Sequence, residues 1–205
     1  EFVQNAEECG LIVDICVWVL EGAFSALTRW ACRGIDPGDL AINVSSRLFR
    51  AADFVGQVER LLVKHRVAPH RIIFEITEST VIENLDATIE VMDRLRRVGI
   101  RFSIDDFGVG YSSLSYLKRL PLDQIKIDRS FVADIGNDQN DEVICRTIIA
   151  MSQHLGLQTV AEGVESNAQY NFLARLRCNA FQGYLFLPPS PEDEFLNHLI
   201  THQDL

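Results

Sequence analysis

Short apolar runs recur along the chain. Each gives way to a stretch in which apolar residues fall three and four positions apart. The runs predict strands over 40–45, 72–77, 101–105, 124–127, 158–162 and 180–184. Between them, Leu85, Ile89, Met92 and Leu95 lie at helical spacing, as do Ile144, Ile148, Met151 and Leu155. Gly99 and Gly156 sit just past two of these helices, where a left-handed cap is wanted. Strand alternating with helix predicts a parallel sheet with helices outside it.

Side chains alternate along a strand, so each run can be put in phase. Ile42 and Val44 share one face, with Ala41, Asn43 and Ser45 on the other. Ile72, Phe74 and Ile76 pair opposite Glu75, and Phe102 and Ile104 pair opposite Ser103 and Asp105. Ile125 and Ile127 lie opposite Gln124, Lys126 and Asp128, while Glu162 alternates with Ala161 and Gln182 with Phe181. One face is therefore apolar. The other carries Asn43, Glu75, Asp105, Lys126, Glu162 and Gln182 near the strand ends. In a (β/α)8 barrel that second face points inward, and its C-terminal end is where active sites are built. For any single position it suffices that a loop begins there. Six positions in phase, with Asn, Glu, Asp and Glu among them and one lysine, point to a site.

The densest chemistry lies in Asp105-Asp106-Phe107-Gly108-Val109-Gly110-Tyr111-Ser112-Ser113-Leu114. Two carboxylates end an apolar run, and a glycine-punctuated loop follows. Alone, the pair reads equally as a solvated turn. Hard divalent cations want several oxygens on such a rim.

At 205 residues the chain is long enough for one domain with a proper core. A complete (β/α)8 barrel takes about 250 residues and two more strands, so the expectation is an α/β, TIM-like barrel variant lacking its N-terminal strands. The net charge of −10 argues against a DNA or RNA surface, which needs clustered cations. It does not exclude a phosphate substrate where metal ions supply positive charge locally. Five cysteines without CxxC spacing fit a reduced, cytoplasmic compartment. The apolar stretch 11–20 contains Asp14 and is too short to span a bilayer, so no membrane contact is expected of this segment. A membrane anchor elsewhere in the parent protein is compatible with that. His198 and His202 stand at i, i+4 and read more simply as a frayed surface helix than as ligands.

Seven motifs in order resemble the EAL domain, the bacterial phosphodiesterase domain acting on cyclic di-GMP. They are Phe2-Val3 through Ala6-Glu7-Glu8-Cys9-Gly10-Leu11-Ile12, Ile42-Asn43-Val44-Ser45, Glu75-Ile76-Thr77-Glu78, the Asp105 to Leu114 stretch, Leu120-Pro121 with Ile125-Lys126-Ile127-Asp128-Arg129-Ser130-Phe131, Ala161-Glu162-Gly163-Val164-Glu165, and Gln182-Gly183-Tyr184. The resemblance implies a variant TIM barrel and metal-dependent hydrolysis of cyclic di-GMP to linear pGpG. It implies Mg2+ or Mn2+ in a two-metal site held by Asn43, Glu75, Asp105, Asp106 and Glu162, with Asp105 bridging. A further glutamate would come from the family's Glu-Ala-Leu strand, which is not in this sequence. Lys126 would stabilise the nucleophile or the transition state, and Glu162 would also accept a proton. Glu78 would anchor the loop after Asp106, and Glu165 would support the same region. Gln182, Tyr184 and Asp128 would lie along the nucleotide. Homodimerisation through helices beside the 105–114 loop is implied as well, with sensory or diguanylate cyclase domains upstream.

The chain departs from the family pattern at Val109, for Thr or Ala, at Leu48, for Gln, at Arg177, for Gly, and at Gln4-Asn5, for Pro-Leu. None is a proposed ligand. The alternative is a receptor that binds the dinucleotide without cleaving it. Intact ligand types in this span favour the enzyme. A different metal-dependent barrel enzyme is the third reading, and the Tyr111-Ser112-Ser113 loop argues against it.

Overall fold

The computed structural model describes residues 5–6, 9–109 and 114–202 (side chains at 114, 115 and 202 aside). Gly110, Tyr111, Ser112 and Ser113 of the loop motif, and Phe2, Val3, Glu7 and Glu8 of the first motif, lie outside them. The elements are α1 (Ile12–Cys32), β1 (Leu40–Asn43), α2 (Ser46–Phe49), α3 (Phe54–His65), β2 (Ile72–Thr77), α4 (Glu78–Glu83), α5 (Leu85–Val98) and β3 (Arg101–Phe107). They continue with α6 (Leu114–Leu117), β4 (Gln124–Ile127), α7 (Arg129–Ala133), α8 (Gln139–Leu155), β5 (Gln158–Ala161), α9 (Asn167–Arg175), β6 (Ala180–Phe181) and α10 (Glu192–His202). The sheet has six strands in the order β1-β2-β3-β4-β5-β6. The α/β class is the one expected. Among the described residues no helix is long and apolar enough to cross a membrane.

Two compact units divide the chain. The first is Glu1–Ile104 with Ser113–Leu122, and the second is Asp105–Ser112 with Asp123–Leu205. In the first, β1 pairs parallel to β2, with Asn43 beside Glu75. Its core is aromatic. Phe49 and Phe54 lie 5.7 Å apart, Phe54 and Phe74 5.8 Å, and Phe74 and Phe102 6.2 Å, all four rings being buried. Tilted and edge-on contacts of this kind add to the stabilisation from burial alone. In the second unit β4, β5 and β6 are parallel, with Ile127 beside Ala161 and Ala161 beside Phe181. Ile125, Ile127, Val132, Cys145, Ala161, Val164 and Leu173 are buried there.

The helical spacing reads through to the packing. Met92 and Leu95 of α5 are buried, as is Ile148 of α8. Gly99 and Gly156 cap these helices in the left-handed region. All five cysteines are free.

Strand ends differ from expectation for local reasons. β1 stops at Asn43 because the Ser45 side chain accepts from Leu48 N–H and starts α2. β3 runs two residues beyond Asp105. β6 is short because the chain turns back on Val164. Val164 N–H donates to Gln182 O at 3.0 Å, and Leu185 N–H to Val164 O at 3.0 Å. The turn presses Gly183 against that backbone, and a Cβ there would lie 2.2 Å from Val164 O. Only glycine admits such an approach. Gly183→Ala is therefore expected to destabilise the protein by about 3 kcal/mol or more, read as a lower urea midpoint with an unchanged m-value.

Candidate active site

β3, β4 and β5 deliver three carboxylates and one ammonium within the second unit. Lys126, 3 % exposed, is held there by the strands on which it lies. Its Nζ is 2.5 Å from Glu162 Oε1 and 3.3 Å from Asp105 Oδ1. Register explains the first contact. Lys126 pairs with Val160, two residues before Glu162 on the same face, and Glu162 N–H continues the ladder to Ile127 O at 3.1 Å. A buried ammonium needs such partners.

Asp106 stands beside Asp105 by an unusual backbone. Its φ is 54°, in the left-handed region, which Asp tolerates better than most residues. Its N–H donates to Asp105 Oδ1 at 3.0 Å. Burial pushes the Asp106 carboxyl above the usual carboxylate range, and the neighbouring Asp105 and Asp128 charges push it further, against an opposing pull from Lys126. Asp105, Asp106 and Glu162 each offer an oxygen within 4.8 Å of the others. Among the described residues, three carboxylates against one ammonium leave a net negative cluster. Hard oxygen donors with excess negative charge are what a divalent cation binds.

Asp128 caps α7, accepting from Ser130 N–H at 2.9 Å. Its carboxyl also meets that of Asp106. Gln182 and Tyr184 are exposed, Gln182 N–H donating to Ala161 O at 2.8 Å. Glu165 is exposed, and its N–H donates to Gln169 Oε1 at 2.8 Å beside the capping box of α9. In the first unit, Asn43 is exposed at the C-terminal end of β1, beside buried Glu75 at the same end of β2. Glu78 is buried in the first turn of α4 and accepts from the Tyr116 hydroxyl at 2.5 Å. The second unit thus brings together Asp105, Asp106, Lys126, Asp128 and Glu162, while the first brings together Asn43 and Glu75.

Tyr116 escaped the sequence reading. It stands 38 residues from Glu78, and a tyrosine on a short apolar helix reads as core.

The model of the EAL domain family matches residues 1–189. The bifunctional diguanylate cyclase/cyclic di-GMP phosphodiesterase MucR of Pseudomonas aeruginosa is 42% identical over 196 residues, 96% of this chain and 29% of that protein. The cyclic di-GMP phosphodiesterase NbdA of the same organism is 43% identical over 190 residues, 93% of this chain and 24% of its own. The chain therefore spans under a third of the length of these relatives. A solved MucR phosphodiesterase in complex with cyclic di-GMP superposes with a TM-score of 0.91 at 42% identity, covering 95% of this chain and 79% of that one. A manganese and cyclic di-GMP complex of Klebsiella pneumoniae BlrP1 gives 0.77 at 32% identity, covering 85% and 44%. The fold is of the TIM-barrel-like α/β class.

The raised Asp106 pKa fixes a sign. The folded protein holds that proton more tightly than the unfolded chain, so stability falls as pH rises from the ordinary aspartate range, about 3.9, through the raised value. In chelator, Asp106→Asn should flatten this part of the profile. It should raise stability at pH 7, where the wild-type carboxyl is charged. Urea unfolding at several pH values measures it.

Proposed function

The chain belongs to the EAL domain family, and on that premise we propose that it hydrolyses cyclic di-GMP to linear pGpG. The observation that carries this reading is the cluster of Asp105, Asp106 and Glu162 around Lys126. Asp105, Asp106 and Glu162 would hold Mg2+ or Mn2+. Bound divalent cations supply positive charge at the phosphoryl group and acidify water.

The residues of the chain do the rest. A water oxygen bonds to phosphorus as the P–O3′ bond breaks, leaving a 3′-hydroxyl and a 5′-phosphate. Glu162 takes the proton from the water, and the departing 3′-oxygen takes one from solvent. Lys126 stabilises the anionic nucleophile or the charge that develops on the phosphoryl oxygens, in a buried position where an ammonium acts strongly. Asp128, Gln182 and Tyr184 line the nucleotide, and the exposed ring of Tyr184 offers a stacking face. Glu78 and Glu165 support the neighbouring loops. The domain acts in the cytoplasm, as a homodimer, downstream of sensory or diguanylate cyclase domains in its parent protein. Every ligand type available in this span is intact, which favours the enzyme over a non-catalytic receptor.

The test is incubation of cyclic di-GMP with the chain, and with its parent protein, in Mn2+ or Mg2+, the products being separated by ion exchange. Metal-dependent pGpG is expected. Asp105→Asn and Lys126→Ala should each lower the rate at least about 10²-fold. Tight cyclic di-GMP binding with no cleavage in either protein would establish the receptor instead.

A further inference from the structure

A groove of about 410 Å3 lies in the second unit, between α8 and the end of α9. Arg146, Arg175 and Arg177 line it, and no acidic residue does. That is notable in a chain with 29 acidic and 19 basic residues. Several arginines elsewhere are held by carboxylates, as Arg71 is by Asp36, Arg101 by Asp39 and Arg119 by Asp86. Arg175 and Arg177 have no ion-pair partner among the described residues. Arg146 is only 3.8 Å from Glu142, and its guanidinium is fixed instead 4.7 Å above the buried Phe172 ring.

Arg177 occupies a backbone position that favours glycine. It follows the C-cap of α9 with φ at 64°, and its N–H donates to Ala174 O at 2.9 Å. A helix dipole accounts for a cation in the last turn, which is where Arg175 lies. It does not account for Arg146 on another helix, nor for a strained arginine where glycine would cap better. The walls are tied together, because Gln153 Nε2 donates to Leu176 O at 3.1 Å. Ile149 and Ala150 supply an apolar floor.

We propose that this groove is an anion site, separate from the carboxylate cluster, for a phosphomonoester or pyrophosphate group borne by a small molecule of nucleotide size. Planar guanidinium forks match phosphate oxygens two at a time, and the volume suits such a ligand. The proposal does not depend on the phosphodiesterase reading.

Calorimetric titration in EDTA, without divalent cations, tests it with inorganic pyrophosphate and with ADP. The chain should bind pyrophosphate with a Kd below about 1 mM, more weakly as salt rises. Arg175→Gln and Arg177→Gly should each weaken binding at least about tenfold. Arg177→Gly should melt no lower than the parent, because glycine relieves the left-handed backbone, so the loss cannot be misfolding. Arg33→Gln, an equal charge change elsewhere, should leave binding intact. Tighter ADP than pyrophosphate would identify a nucleotide as the source, and equal affinities the free phosphate group. No binding of either probe, equal weakening by Arg33→Gln, or binding of polyglutamate in place of both probes would overturn the proposal.

Discussion

The buried ammonium of Lys126 is the interaction on which the second unit's chemistry depends. It lies between Glu162 and Asp105, which come from the strands on either side of its own. Without it, carboxylates would face one another in a poorly solvated place, and like charges there are costly. With it, the cluster can form but is not neutral. One cation meets Asp105, Asp106 and Glu162, with the Asp128 carboxyl also against Asp106. Among the described residues that leaves an excess of negative charge at one point, which a divalent cation would offset.

The same region accepts local cost. Asp106 holds a left-handed backbone and a carboxyl pushed above its ordinary range. Such departures persist where the surrounding structure over-determines them, and they gather at functional sites. Here the supports can be named. Asp106 N–H is fixed to Asp105 Oδ1, and Asp128 is fixed by capping α7. Gly183, pressed on Val164, sets the turn that presents Gln182 and Tyr184. Rigid ladder bonds thus carry the chemistry, and the strain is confined to residues at their ends.

Much of this was legible in the order of residues. Alternation along the strands separated Ile125 and Ile127 from Lys126, and Ile42 from Asn43, because a strand's period of two is fixed by its pleat. The helices of Met92 and Ile148, with Gly99 and Gly156 as their caps, were legible because a 3.6-residue period and a left-handed stop leave marks in sequence. What was not legible depends on contacts between distant segments. The Glu78 to Tyr116 hydrogen bond, the turn at Gly183 that shortens β6, and the choice of Glu162 as first partner of Lys126 are set by packing. So is the arginine groove. Arg177 stood out as an odd residue, but only the fold sets it beside Arg146.

On this reading Asp105, Asp106 and Glu162 together form a metal centre. Titration of Mn2+ into the chelator-treated chain, followed by electron paramagnetic resonance of the free ion, is the test, with Glu162→Gln and, as control, Glu59→Gln on the exposed face of α3 in parallel. Saturable binding is predicted in the parent and in Glu59→Gln, and at least about tenfold weaker binding in Glu162→Gln. Equal Mn2+ binding by all three proteins, or none by the parent, would rule out a metal centre at this cluster.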